Sequence, residues 1–223
     1  IKVGLAGCGV VGGGLVRLLR ENGDALAARA GDRIEIARVA VRKLKKKRPG
    51  VPRDRFTTRV EEIWKDPTID IVVELMGGTT TARRVVLESL RAGQPVITAN
   101  KALLAEHGRE IFAVAADHCQ TVGFEASAGG GIPIIKVLRE ALAGNRVESF
   151  LAIINGTTNY ILTRMEEEGR DFPEILGDAQ RLGYAERDPS ADIDGHPPVT
   201  PRTSMVLRPR RCAAVPRFQT KVS

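Results

Sequence analysis

Cysteine is scarce in this 223-residue chain. The three thiols, Cys8, Cys119 and Cys212, lie far apart and form no CxxC pair. That argues against a disulfide framework or a thiolate zinc site, and for a reduced, cytoplasmic setting. His107, His118 and His196 are equally few and lack ligand spacing, so they read as surface or structural residues. No apolar run approaches the ~20 residues that a bilayer crossing needs, so no membrane association is expected. The chain opens directly on a strand pattern, and neither a signal nor a transit peptide is expected. Acids are absent from residues 197–223, which hold Arg202, Arg208, Arg210, Arg211, Arg217 and Lys221. Those six cations supply all but one of the +7 net charge. The basicity belongs to that last segment and gives the preceding body no claim to nucleic acid.

What is present first is a glycine turn. Val3 to Ala6 reads as a short apolar strand, and Gly7, Gly9 and Gly12 follow in GxGxxG spacing before an apolar helix carrying Leu15, Val16, Leu18 and Leu19. The three glycines serve different ends. The first permits the tight turn, the second lets a pyrophosphate approach the backbone, and the third lets helix and strand pack closely. The helix starting there points free N–H groups and a positive dipole end at the phosphates. Val10 and Val11, inside the turn, join the expected cofactor-binding set.

The first helix is expected over about 10–28, and strand two over Ile34–Val41. An NAD-preferring unit carries an acid at the end of that strand to hold the ribose 2′-hydroxyl. Here the strand ends in Arg42-Lys43, followed by Lys45, Lys46, Lys47 and Arg48, with no carboxylate. Arg42 and Lys43 suit a 2′-phosphate and favour NADP over NAD, the alternative being a solvated basic loop. For the distal cations the solvated loop is the favoured reading.

Ile69–Leu75 is the third strand, nearly continuous in apolar residues as a strand covered on both faces should be. Gly77 follows its end, and Thr79 is placed to cap a helix running to Ala92. Pro95–Thr98 is strand four, a helix spans about 109–118, and Thr121–Ala126 is strand five. Gly77 and Thr98, at the ends of their strands, complete the cofactor side. The alternation predicts an α/β fold: an N-terminal Rossmann-type, doubly wound parallel sheet over residues 1–126. Beyond the glycine-rich turn 129–131, a helix over 134–142, a strand over 147–154, helices opening at 155–159 and near Phe172, and a carboxylate-dense loop at 184–195 predict part of a second α/β domain over 127–196. Trp64 and the phenylalanines read as core.

Six motifs, GCGVVG, VELMGG, TANKALLAEHG, FEASAGGGIPII, NGTTNYILTRMEEEG and GYAERDPSADIDG, run from Gly7 to Gly195. Together they resemble homoserine dehydrogenase over most of the chain, from Lys2 to about His196. The resemblance implies reduction of aspartate 4-semialdehyde to homoserine with NADPH or NADH, in the biosynthesis of threonine, methionine and isoleucine. It also implies a homodimer built on the second domain. It places Lys101 between nicotinamide and substrate, just past the C-terminal end of strand four, where open α/β sheets bind ligands. A lysine there can stabilise the carbonyl oxygen or deliver a proton. Glu186 matches a substrate-binding glutamate that would hold the ammonium group, and Asp192 matches a second acid that orients groups at the site. Gly183 matches a position of backbone approach to the cofactor, while Thr157 and Asn159 stand either in the site or as helix caps. A monovalent cation, sodium, is implied on mainly backbone carbonyls at Glu125, Ala128, Gly130 and Ile132, as oxygen ligands suit a hard cation. Tight domain packing is the other use for those glycines.

After His196 the resemblance stops. By the resemblance, the family's proton-donor lysine has Pro201 in its place here, and a preceding aspartate has Pro197. Residues 197–223 carry five prolines, and proline inside a helix costs about 3 kcal/mol or more. The segment therefore reads as a disordered tail, from a change of reading frame or as a genuine basic appendage. The expectation is an enzyme of this family with impaired turnover and a shortened second domain, the alternative being a non-catalytic dinucleotide-binding protein or subunit.

Overall fold

Short apolar runs form parallel strands where both faces can be covered, and six do so here. A computed structural model describes residues 1–46, 48, 50–148, 156–185 and 189. The strands are β1 Lys2–Ala6, β2 Glu35–Ala40, β3 Phe56–Thr57, β4 Ile71–Glu74, β5 Val96–Thr98 and β6 Val122–Gly123. They pair in parallel in the order β3-β2-β1-β4-β5-β6. The chain winds outward from β1 in both directions, so the topological switch point falls between β1 and β4. Ligands of such sheets bind there, beyond the C-terminal strand ends.

The helices are α1 Val10–Glu21, α2 Gly23–Ala30, α3 Glu61–Trp64, α4 Thr80–Arg91, α5 Lys101–Asp117, α6 Ile134–Lys136, α7 Gly156–Glu168 and α8 Phe172–Leu182. Those of the first 117 residues cover the sheet on both faces. Leu5, Val39 and Val73 pack with Val16 of α1, whereas their strand neighbours Ala6, Ala40 and Val72 pack with Ile63, Val85, Leu90, Leu103 and Ile111 of α3, α4 and α5. The expected doubly wound α/β sheet is therefore observed.

Several elements differ from the sequence reading. The strand expected over Thr121–Ala126 is only β6 Val122–Gly123, and a 3-10 turn takes over at Glu125–Ser127. The expected first helix is broken at Asn22 (φ −116°, ψ 18°), where consecutive Asn22 and Gly23 are poor helix formers. Helix α5 begins at Lys101, eight residues before the expected start near Arg109, because the Asn100 carboxamide oxygen accepts the Leu103 N–H at 3.0 Å and caps it. Strand β3, two residues long, has too little pattern to be read. Thr79 precedes α4 but makes no side-chain cap. Trp64 is buried. Beyond α6 the chain continues as a π-type turn over Val137–Ala141, and most of the expected strand at 147–154 lies outside the described residues.

The described chain separates into two units, Ile1–Arg139 and the described part of Glu140–Met205. In the second, α7 and α8 close over Ile161, Ile175, Ala179 and Ala185. The Tyr160 and Tyr184 rings stack at 4.7 Å, and Arg170 binds Glu168, Glu174 and Asp178 together.

In the first unit, Arg83 of α4 grips Glu110 of α5 with Nε donating at 2.7 Å and a second bond from its terminal nitrogen. The guanidinium's hydrogen bonds hold the Glu110 carboxyl below its ordinary 4.5. A depressed folded value makes the contribution complete above the ordinary value and removes it as pH falls through the folded one. Thermal melts across about pH 3–7 should therefore show a shallower acid limb for Glu110→Gln than for the wild type. Identical limbs would show that the pair contributes nothing.

Candidate functional site

The glycine turn occupies the C-terminal end of β1. Gly7 has φ +99°, and a Cβ on it would stand 2.5 Å from the carbonyl oxygen of Leu75, just beyond β4. Its N–H donates to Ala40 O at 2.9 Å, while Leu75 N–H donates to Ala6 O at 2.7 Å, so the turn is tied to both neighbouring strands. A Cβ on Gly12 would stand 2.4 Å from Gly7 O, which sets how closely α1 packs on the turn. Gly9 is different in kind, since a Cβ there would meet nothing within 4 Å. Its lack of a side chain serves space rather than packing. Gly9 is also the N-terminal cap of α1, without a side-chain cap and without an acid in the first turn. Open space in front of uncapped helix N–H groups fits an incoming phosphate.

A cleft of about 440 Å³ opens beside the turn, lined by Gly7, Cys8, Gly9, the end of β2, Arg42, Lys43, Lys46, Arg48, Leu75 and Met76. Among the described residues, four cations and no carboxylate line it. Arg42, Lys43 and Lys46 are exposed, but Arg48 is half-buried. Its Nε donates to Cys8 O at 3.1 Å, and its Nη1 donates to Lys43 O at 3.0 Å and Lys46 O at 3.1 Å. The guanidinium lies 5.8 Å from the Phe56 ring centre. Arg48 thus staples the basic loop to the glycine turn. Burial pushes the Cys8 thiol above its ordinary value, against the pull of Arg48 and Lys46. Cys8 lines the cleft as a small side chain.

The ends of β4 and β5 form the adjoining part of this edge. Glu74 is fully buried. Its Oε1 accepts the Met76 N–H at 2.7 Å and its Oε2 accepts the Thr98 hydroxyl at 2.6 Å. Thr98 Oγ1 in turn accepts the Asn100 N–H at 3.0 Å, and the Asn100 amide donates to Gly78 O at 2.7 Å. The Ser127 hydroxyl donates to Thr98 O at 2.7 Å. Gly77 and Gly78, at φ +73° and +71°, make the turn that this ring of bonds encloses. Lys101 follows Asn100 as the first residue of α5 and is exposed. A cation at a helix N-terminus opposes the dipole, a local disadvantage typical of functional positions.

The structure therefore brings Gly7, Gly9, Gly12, Arg42, Lys43, Gly77 and Lys101 to one edge of one sheet. Val10 and Val11 stand exposed there at 94% and 62%. Thr98 belongs to the same edge, but its side chain is buried and committed to Glu74, so it supports the edge from within. The Glu125 carboxylate accepts the Ile135 and Lys136 N–H groups, both at 2.8 Å, and so caps α6. Backbone carbonyls of Glu125 and Ile132 accept bonds from Ala128 and Ile134 N–H. Each of these carbonyls keeps a second lone pair, whereas the Glu125 carboxylate is spent on the start of α6. Gly183, at φ +82°, ends α8 in the second unit, and the Thr157 hydroxyl there donates to Tyr184 O at 2.6 Å. Glu186 and Asp192 lie outside the described residues. Sequence reasoning missed Arg48 and Glu74. A run of cations does not show which one turns inward, and a single acid ending an apolar strand gives no sign of its partner.

Comparison with known proteins matches two family models. One described as "Homoserine dehydrogenase, NAD binding domain" covers residues 7–125, and one described as "Homoserine dehydrogenase" covers 133–199. Among curated relatives, the homoserine dehydrogenase of Pseudomonas aeruginosa is 47% identical over 199 residues, covering 87% of this chain and 45% of that protein. That of Synechocystis is 50% identical over 197 residues, with the same shares. This chain thus spans about 45% of the length of these curated relatives. The crystal structure of a homoserine dehydrogenase from Thiobacillus denitrificans aligns with a TM-score of 0.80 at 49% identity, over 86% of this chain and 45% of that one. A hyperthermophilic archaeal homoserine dehydrogenase in complex with NADPH aligns with a TM-score of 0.72 at 25% identity, over 87% of this chain and 65% of that one.

Proposed function

Because this chain belongs to the homoserine dehydrogenase family, we propose that it binds NADP(H) in the glycine-turn cleft and carries one part of a site that reduces L-aspartate 4-semialdehyde to L-homoserine. The observation that supports this best is the coincidence, at one sheet edge, of the open cradle at Gly9, four cations and Lys101.

The N–H groups at the start of α1 hold the diphosphate, with Val10 and Val11 beside it. Arg42 and Lys43 pair with a 2′-phosphate, which selects NADP over NAD. Gly77 keeps backbone, and no side chain, at the β4 end of the cleft. When bound, the reduced cofactor supplies hydride to the substrate carbonyl carbon. Lys101 presents its ammonium to the carbonyl oxygen and stabilises the charge that gathers there. Glu186 accepts hydrogen bonds from the substrate ammonium, Asp192 orients groups at the site, and the Gly183 backbone approaches the cofactor. Backbone carbonyls at Glu125, Ala128, Gly130 and Ile132 hold a sodium ion, which ties the turn after β6. Residues 1–126 form the cofactor domain, residues 127–196 belong to the substrate and dimer domain, and the working form is a cytoplasmic homodimer. Pro201 stands at the place of the family's second lysine and leaves one proton-donating role unfilled, so turnover is impaired.

Calorimetry and a spectrophotometric assay test this together. The chain should bind NADPH more tightly than NADH, and oxidise NADPH with the semialdehyde far more slowly than full-length relatives. The neutral pair Arg42→Gln with Lys43→Gln should weaken NADPH by about tenfold or more, the scale of lost charge-assisted hydrogen bonds, and NADH by much less. Binding of neither cofactor would refute the reading. Equal loss for both would remove the 2′-phosphate assignment, and relative-like turnover would remove the impairment.

A further inference from the structure

We propose that Glu74 is a positioning residue that sets where Lys101 stands against the cofactor-side turn at Gly77-Gly78. The inference rests on the reading of Lys101 as a residue of the reaction.

The hydrogen bonds of Glu74 form a closed circuit. One carboxylate oxygen fixes the Met76 N–H, at the entry to the Gly77-Gly78 turn. The other fixes the Thr98 hydroxyl, which fixes the Asn100 N–H. The Asn100 side chain returns to Gly78 O and also caps α5 through the Leu103 N–H. Met76 lines the cofactor cleft, and Lys101 is the next residue after Asn100. The circuit therefore joins two places that must stay in register: the backbone facing the cofactor and the ammonium facing the substrate.

The Met76 N–H is a fixed donor, and a carboxylate accepts on both sides, so Thr98 donates to Glu74 while its oxygen receives the Asn100 N–H. Glutamine at 74 can keep its carbonyl on Met76 and turn its NH2 to the second lone pair of the Thr98 oxygen, but the Thr98 proton is then left without an acceptor and a charge-assisted bond becomes a neutral one. The shape is kept and one link is weakened. A buried carboxylate is also an expensive group to retain merely to fill space, since an apolar residue of similar volume would fill it without desolvation.

The test compares the wild-type chain with Glu74→Gln, which keeps the volume, and uses unchanged exchange of the Leu5 and Val39 amides as the check that the sheet is intact. Two readings are taken: amide hydrogen exchange at Asn100 and Leu103, and the rate of reductive methylation of Lys101 with and without NADPH, followed by mass spectrometry. In the wild type, NADPH should shield Lys101. In Glu74→Gln, Asn100 and Leu103 should exchange about tenfold faster, as expected when a charge-assisted hydrogen bond becomes a neutral one and a buried proton loses its acceptor, and the shielding should largely disappear. A purely structural role would speed exchange without changing the shielding, and that result overturns the proposal. So does wild-type exchange in the variant. Absence of shielding in the wild type would overturn the reading of Lys101 itself, and with it the role of Glu74. Should Glu74→Gln fail the sheet check, Thr98→Val breaks the same link from its other end, and the same outcomes apply.

Discussion

Replacing Gly9 with alanine is expected to leave the melting temperature unchanged while weakening NADPH binding by about a hundredfold. The two halves of that result have separate causes. A methyl group on Gly9 meets nothing in the protein within 4 Å, and the residue's φ of −86° is not in the left-handed region that favours glycine. Folding therefore loses no packing at this position. The same methyl would occupy the space through which the diphosphate reaches the first N–H groups of α1. Displacing it by about one methyl radius breaks at least one charge-assisted hydrogen bond, each contributing ~1.5–3 kcal/mol. Calorimetric titration and a thermal melt of the same preparation decide the matter. Undiminished affinity would show that the cradle is not where the phosphates lie, and a lowered melting temperature would show that Gly9 serves packing after all.

Gly7→Ala should do the opposite, destabilising the whole first unit by about 3–5 kcal/mol. The alanine would have to adopt φ +99° with its Cβ only 2.5 Å from the Leu75 carbonyl oxygen and 2.8 Å from the Met76 nitrogen. Those are backbone atoms, so no side chain can swing away to make room. Relief requires β1 and β4 to part at the switch point, where Ala6 and Leu75 share a 2.7 Å hydrogen bond. For a chain of this size the melting temperature should fall by roughly 10 °C or more. Cofactor affinity is then lost as a consequence of unfolding, unlike the clean loss at Gly9. A wild-type melting curve for Gly7→Ala would show that the turn can relax without moving the strands.

Much of this arrangement is legible in the residues. Strands β1 and β4 are largely buried on both faces, and the apolar runs Val3–Ala6 and Ile71–Val73 announce it. The three glycines of the turn can be told apart by spacing alone, and the structure separates their roles by what each missing Cβ would touch. Order along the chain suffices to place Lys101 at a strand end. The start of α5 is hidden because Gly108 reads as a boundary, yet it lies buried inside that helix; the capping Asn100 is the better signal. Arg48 and Glu74 cannot be found in the same way. Arg48 acts on a carbonyl 40 residues away and Glu74 on a hydroxyl 24 residues away. No local periodicity encodes such a pairing.

Neighbouring residues of each central strand serve opposite cores: Val73 meets the α1 side and Val72 the α3–α5 side. A single codon inserted within β4 would exchange those allegiances along the remainder of the strand. Both hydrophobic layers would be spoiled by one event, with no repacking able to rescue one without the other. Natural length variation in this lineage should accordingly concentrate between the strands, as in the basic segment leading from β2 to β3, where gaining or losing a residue reshapes the cation-lined cleft before it disturbs the fold.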